Sequence, residues 1–212
     1  TLTQQSKDEC WQLLFDEQSA EHCHIYNKKS IEAPWFIQQR VLHCDPNSTA
    51  PNSDLVSNIT YENFEFKFDW KIEDNGNGGI FINVLEHDSI PAPWTTGLEY
   101  QLLGVTHQDM EKPTKRSGTL YTFAPQLNQV ANRPKDEWNE SSIIQRNDSL
   151  QFFLNGTKTV EIDFKSKEWS DMLASSHFIK GFADYGKNRK GKIGLQDWTR
   201  GVSFRNIKIK EL

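Results

Sequence analysis

Hydrophobic and polar residues alternate along most of the chain, at the period of two expected of a strand with one buried face. The longest such run is FEFKFDWKI (64–72): Phe64, Phe66, Phe68, Trp70 and Ile72 fall on one face, Glu65, Lys67, Asp69 and Lys71 on the other. EDNGNGG follows, a cluster of residues that tolerate positive φ, and GIFINVLE (79–86) is the return strand of a hairpin. GLEYQLLG (97–104) comes third, after the Pro-rich connector SIPAPWTTG, and TLYTFAP (119–125) reads as a short strand. Residues 137–164 give three more, with reversals at Asn147-Asp148 and Asn155-Gly156, and Asn-Gly between strands is a strong hairpin signal. The end, GKIGLQDWTRGVSFRNIKIKEL, predicts two strands around a turn near Arg200-Gly201. Only SKEWSDMLASSHF (166–178) has helical spacing, with Trp169, Met172 and Leu173 at i, i+3 and i+4.

Many short strands with one or two short helices, unbroken by any linker, composition shift or repeat, predict an all-β fold. The expectation is one domain over residues 1–212, a two-sheet antiparallel β-sandwich of jelly-roll type. Hydrophobic content of 36% and charged content of 25% allow a core and argue against disorder. The net charge is -5 with Lys and Arg dispersed, so nothing offers nucleic acid or an anionic membrane a basic stripe. No stretch reaches the ~20 apolar residues of a transmembrane helix. The polar opening TLTQQSKDE fits a mature end left by signal-peptide removal. Cys10, Cys23 and Cys44 match no zinc or CxxC spacing; one disulfide between Cys23 and Cys44 and three free thiols both remain open. Sequons at Asn47, Asn58, Asn139, Asn147 and Asn155 read as chance. Seven Trp residues fill a core or stack on sugar rings.

Phosphate loops, GxSxG elbows and HExxH zinc motifs are absent. His22, Cys23 and His24 are adjacent, and neighbours on a strand point apart. His107 and Asp109, two apart in a loop, share a ligand or an ion, or are simply solvated. Retaining sandwich glucanases carry two acids at alternate positions of one strand, and such a pair about 5 Å apart divides the nucleophile and acid roles. Here Glu99 is followed by Gln101, an amide. Glu65 and Asp69 alternate correctly but sit among Lys67 and Lys71, which marks an outer, solvated face.

NGGIFINV, W-x-TG-x-EYQLL, H-x-D, SG-x-LY-x-x-AP, EWN, LNG-x-K-x-VE and the end GKIGLQD…VSFRNIKIKEL occur in the order seen in the 3-keto-disaccharide hydrolase family, which the chain resembles over 60–212. A weaker echo lies in WQLLFDEQS and APWFIQQRVL. The resemblance implies a concanavalin A-like lectin/glucanase sandwich, a carbohydrate ligand, and export to the periplasm, outer membrane or exterior of a bacterium. It also implies a chemistry. A ketone at C3 of a hexose acidifies the C2 hydrogen, a base removes it, the aglycone leaves from C1 and water adds back. One base and a stabiliser for the enolate suffice. Glu99 is the expected base, without a cofactor, or with a divalent metal at His107 or Asp109 as a variant.

Residues of Glu99's parity should share its face: Gln101, Phe81, Asn83, Gln196 and Trp198, with Trp94 and Tyr121 at the rim. Ile193, Leu195 and Asp197 should face inward, Asp197 in a structural role such as pairing Arg205. Three positions depart from the family pattern, each expected at the pocket: Gly104 for an acid, Trp198 for a histidine and Asn83 for an arginine. The alternative is therefore a non-catalytic, lectin-like domain in which Trp94 and Trp198 stack on the ligand. A two-acid glucanase is the third reading.

Overall fold

The alternating face of 64–72 anchors the core: Phe64, Phe66, Phe68, Trp70 and Ile72 are all buried, while the intervening charged residues remain partly exposed. The computed structural model describes residues 2–15, 18–28, 34–50, 53–196, 198–199 and 201–212. Their strands are β1 (Gln12–Leu13), β2 (Cys23–Ile25), β3 (Trp35–Gln38), β4 (Val41–Cys44), β5 (Leu55–Ser57), β6 (Phe64–Ile72) and β7 (Asn77–Val84). Then follow β8 (Leu98–Leu103), β9 (Asn139–Arg146), β10 (Ser149–Leu154), β11 (Thr157–Asp163), β12 (Lys192–Leu195) and β13 (Val202–Glu211). The larger sheet runs β11-β10-β9-β6-β13-β4-β3, with β1 also on β13; the smaller runs β2-β5-β12-β7-β8. Every pairing is antiparallel, so the chain folds as the β-sandwich its alternation predicts.

The sheets meet through their apolar faces. Tyr100 of β8 packs edge-on against Phe68 of β6 at 5.6 Å and lies 4.9 Å from Phe152 of β10. The polar tips are satisfied inside: Trp70 Nε1 donates to Ser141 Oγ (2.9 Å), which also pairs with Tyr100 Oη at 2.8 Å, as buried Trp and Tyr require. The reversals at Asn147-Asp148 and Asn155-Gly156 have positive φ at both central residues, the signature of type I′ hairpin turns.

Two local expectations are corrected. TLYTFAP forms only isolated bridges, Tyr100 to Leu120 and Leu120 to Ala124, because Gly118 and Thr122 adopt positive φ and turn the chain away. The single helix is two, α2 (Lys167–Ser175) and α3 (His177–Gly181), preceded near the start of the chain by α1 (Gln4–Asp8). Ser176 divides the pair: it is extended, ends the first helix and caps the second by accepting from Phe178 N–H. No disulfide joins Cys10, Cys23 and Cys44, with Cys23 on β2 of the smaller sheet and Cys44 on β4 of the larger. Asp197 and Arg200 lie outside the described residues; Arg205 pairs with Asp69, Nε to Oδ2 at 3.1 Å.

Candidate active site

Because Leu98, Tyr100 and Leu102 enter the core, Glu99 and Gln101 must project from the outer face of the smaller sheet. Across the β7–β8 ladder Phe81 stands opposite Glu99 and Gly79 opposite Gln101. A Cβ at Gly79 would lie 2.8 Å from Glu99 Cγ, so the missing side chain is what lets Glu99 lie across β7. Gln101 is fixed by its amide, which donates to Asn77 Oδ1 at 2.8 Å. Gln196 joins the same face because its N–H donates to Gly79 O at 3.0 Å, and Trp198 follows at the same parity. Together these residues floor a cavity of about 420 Å³, walled by Trp94, His107, Asp109, Tyr121 and Phe178.

Glu99 is 8% exposed, and its carboxyl accepts no hydrogen bond from the described residues. Burial pushes its pKa up to about 8; the negative charge of Asp54 adds to the rise and Lys115 opposes it. A carboxyl so displaced, in a cleft, is a group suited to proton transfer near neutrality.

The 105–116 loop brings His107 and Asp109 to this cavity. Asp109 Oδ1 takes Lys112 Nζ at 2.6 Å and Oδ2 faces Lys115 Nζ at 3.4 Å. The lysine ammoniums hold the Asp109 carboxyl below its ordinary pKa, led by the Lys112 hydrogen bond. Asp109 is thus a lysine anchor, and among the described residues no group of three His, Cys, Asp or Glu could hold a metal. His107 Nδ1 accepts the Asp109 N–H at 3.1 Å, which assigns the hydrogen of the neutral ring to Nε2. Lys115 also lies 5.3 Å over the Tyr121 ring, and Tyr121 is held beside Glu99 by donating its N–H to Glu99 O at 3.0 Å. His22 plays no part in the cavity, and His24 bonds Glu86 and Asn58.

Of the residues expected here, the sheet brings together Glu99, Gln101, Gln196 and Trp198, with Trp94 and Tyr121 at the rim. Phe81 shares the face but packs away from the cavity against Tyr26, Val56 and Val84. Asn83 is a correction. Between Phe81 and Val84 the β7–β12 register shifts, Asn83 takes φ 61°, and its side chain turns inward to Gln145 Oε1 at 2.7 Å. A bulge inverts parity, so counting by twos fails there. Gly104 is also away from the cavity: its N–H donates to Gly76 O, and a Cβ would collide with the Glu73 and Asp74 carbonyls. Of the three departures, only Trp198 reaches the cleft. Asn77 and Phe178 escaped sequence reasoning. Asn77 sat in an apparent turn; Phe178 lies in the first turn of α3, 6.2 Å from the Trp94 ring, and Phe182, just past that helix, meets Trp94 edge-on at 5.0 Å.

Comparison with known proteins fits this architecture. A family profile described as a 3-keto-α-glucoside-1,2-lyase-like domain matches residues 10–210. A Bacteroides thetaiotaomicron protein named 3-keto-disaccharide hydrolase is 26% identical over 94% of this chain and 77% of its own length. The crystal structure of a glycosyl hydrolase candidate from Parabacteroides distasonis superposes with a TM-score of 0.89 at 29% identity, covering 100% of this chain and 98% of that one. A carbohydrate-binding module from Bacillus subtilis shares the fold alone, with a TM-score of 0.52 at 10% identity over 85% of this chain and 92% of its own. The chain belongs to the 3-keto-α-glucoside-1,2-lyase-like family.

Proposed function

We propose that the cleft cleaves glycosides whose sugar ring carries a ketone at C3, with Glu99 as the general base. One observation supports this above the others: Glu99 is buried in the cleft and unbonded by the described residues, and that burial pushes its pKa up to about 8. Burying a carboxyl without partners destabilises a fold, and a role in proton transfer accounts for keeping it there. The ring-stacking surfaces of Trp94 and Trp198 serve either role, so they do not favour the lectin-like alternative.

In the proposed reaction the Glu99 carboxylate takes the C2 proton. The C2–H electron pair forms the C1–C2 double bond as the C1–oxygen bond breaks, passing through an enolate at the C3 oxygen. The departing oxygen needs one proton and Glu99 has just gained one, so the elimination is proton-neutral. Water then adds to C1 of the enone, its hydroxide bonding C1 and its proton returning to C2. His107 Nε2–H and the Tyr121 hydroxyl are the donors proposed for the enolate oxygen, where fixed donors count most. A substrate deuterated at C2 tests the path. Slower turnover of the deuterated compound, and its loss in Glu99→Gln, are expected; equal rates with either isotope and either protein contradict it.

A further inference from the structure

Asp109 anchors two lysines, and they differ in where they stand. Lys112 Nζ meets Oδ1 at 2.6 Å from a side chain 58% exposed; Lys115 Nζ meets Oδ2 at 3.4 Å from one only 27% exposed. Lys115 also donates to the Tyr121 hydroxyl and lies 5.3 Å from the centre of that ring. Asp109 and Tyr121 wall the Glu99 cavity, whereas neither lysine lines it. Lys115 therefore acts on the cleft through its neighbours.

The chain fixes this arrangement before any ligand arrives. Tyr121 N–H donates to Glu99 O at 3.0 Å, and Thr122 N–H to Thr114 O at 2.8 Å. The second bond ties the residue after Tyr121 to the residue before Lys115. Arg116 Nε donates to Met110 O at 2.7 Å and Thr119 Oγ1 to Arg116 O at 2.7 Å, so the loop is closed on both sides of the lysine. Burial works to lower the Lys115 pKa, but the hydrogen bond and charge of Tyr121, then those of Asp109, hold it above the ordinary lysine value. The side chain is thus an ammonium throughout the range in which Glu99 titrates.

An ammonium carries three hydrogens and no lone pair. Toward the Tyr121 oxygen it can only donate, so the phenolic hydrogen cannot turn back to it and is left for a partner in the cavity that Tyr121 walls. A cation on the far side of that hydroxyl also polarises it, which counts most when the partner becomes negative.

We propose that Lys115 is a positioning residue: its ammonium holds the Tyr121 hydroxyl as a donor into the cleft and strengthens it as charge gathers on the enolate oxygen. An interaction that grows in the transition state raises kcat and leaves KM nearly alone. This inference rests on the donor role proposed for Tyr121, and not on which group is the base.

The test is a double-mutant cycle on methyl 3-keto-α-glucopyranoside, with Lys115→Met, Tyr121→Phe and the two combined. Each single variant should lower kcat roughly tenfold or more and change KM less than about threefold. The double variant should fall less than about threefold below the worse single one. Lys115→Arg keeps the charge and should recover most of the loss. Lys112→Met removes the other cation on Asp109 and should lose less than about threefold. Losses that simply multiply in the cycle, an arginine no better than methionine, or a Lys112→Met protein as impaired as Lys115→Met each overturn the proposal. Should circular dichroism show Lys115→Met unfolded, Lys115→Gln takes its place in the cycle. Glu99→Gln separates the two claims. If it keeps wild-type activity, the base assignment fails by itself and the cycle still decides for Lys115; if it is inactive and the cycle shows no coupling, the Lys115 proposal fails alone.

Discussion

The side chain of Glu99 lies over Gly79, in space that any other residue at position 79 would occupy. Gly79 and Glu99 sit diagonally across the β7–β8 ladder, where side chains on one face interact. Gly79→Ala should therefore displace the carboxyl while the strands remain paired. Overpacking of this kind costs about 1–3 kcal/mol, and kcat/KM should fall at least about tenfold, since small misplacements of a reacting group are expensive. Thermal melts and steady-state assays of the one variant measure both effects.

The buried acid also predicts how stability varies with pH. Burial raises its folded pKa to about 8, above the ordinary carboxyl value of about 4.5, so between those values the folded state holds a proton that the unfolded state has released. Stability must fall as pH rises through that window, and is lowest once pH exceeds the folded pKa. Glu99→Gln removes this dependence. The variant should match the wild type near pH 4.5 and exceed it by up to roughly 5 kcal/mol above pH 8, read from urea unfolding at the two pH values.

The fold was legible in the sequence because its strands are long and strictly alternating; 64–72 could be nothing else. Glu99 and Gln101 were equally readable, since a strand puts alternate residues on one face. What the pattern could not carry was any point where the backbone leaves the regular ladder. Asn83 was assigned to the cleft by counting by twos across a bulge that no residue type announces. TLYTFAP has a strand's composition, yet Gly118 and Thr122 turn it. Asn77 and Phe178 reach the site through tertiary contacts with β8 and Trp94, which leave no local signature.

The inward turn of Asn83 separates structure from recognition. Asn83 is 1% exposed and bonded to Gln145, so Asn83→Ala should destabilise the protein by about 1–3 kcal/mol. Sugar affinity of the folded variant should be unchanged. Chemical denaturation and calorimetry give the two readings.

Trp198 should behave in the opposite way. It is 59% exposed and borders the cleft, so Trp198→Ala should leave the melting temperature nearly unmoved. Loss of a stacking ring worth about 0.5–1.5 kcal/mol should raise KM several-fold, as measured by initial rates over a range of substrate concentrations.

The most direct test of Glu99 as base is the pH dependence of kcat/KM on methyl 3-keto-α-glucopyranoside, for the wild type and Glu99→Gln. Only the ionised carboxylate accepts a proton, so wild-type activity should climb with pH and level off above about 8. Glu99→Gln should be lower by roughly a hundredfold or more and lack that limb. Equal activity in the two proteins, or a wild-type profile that falls through pH 8, would contradict the assignment.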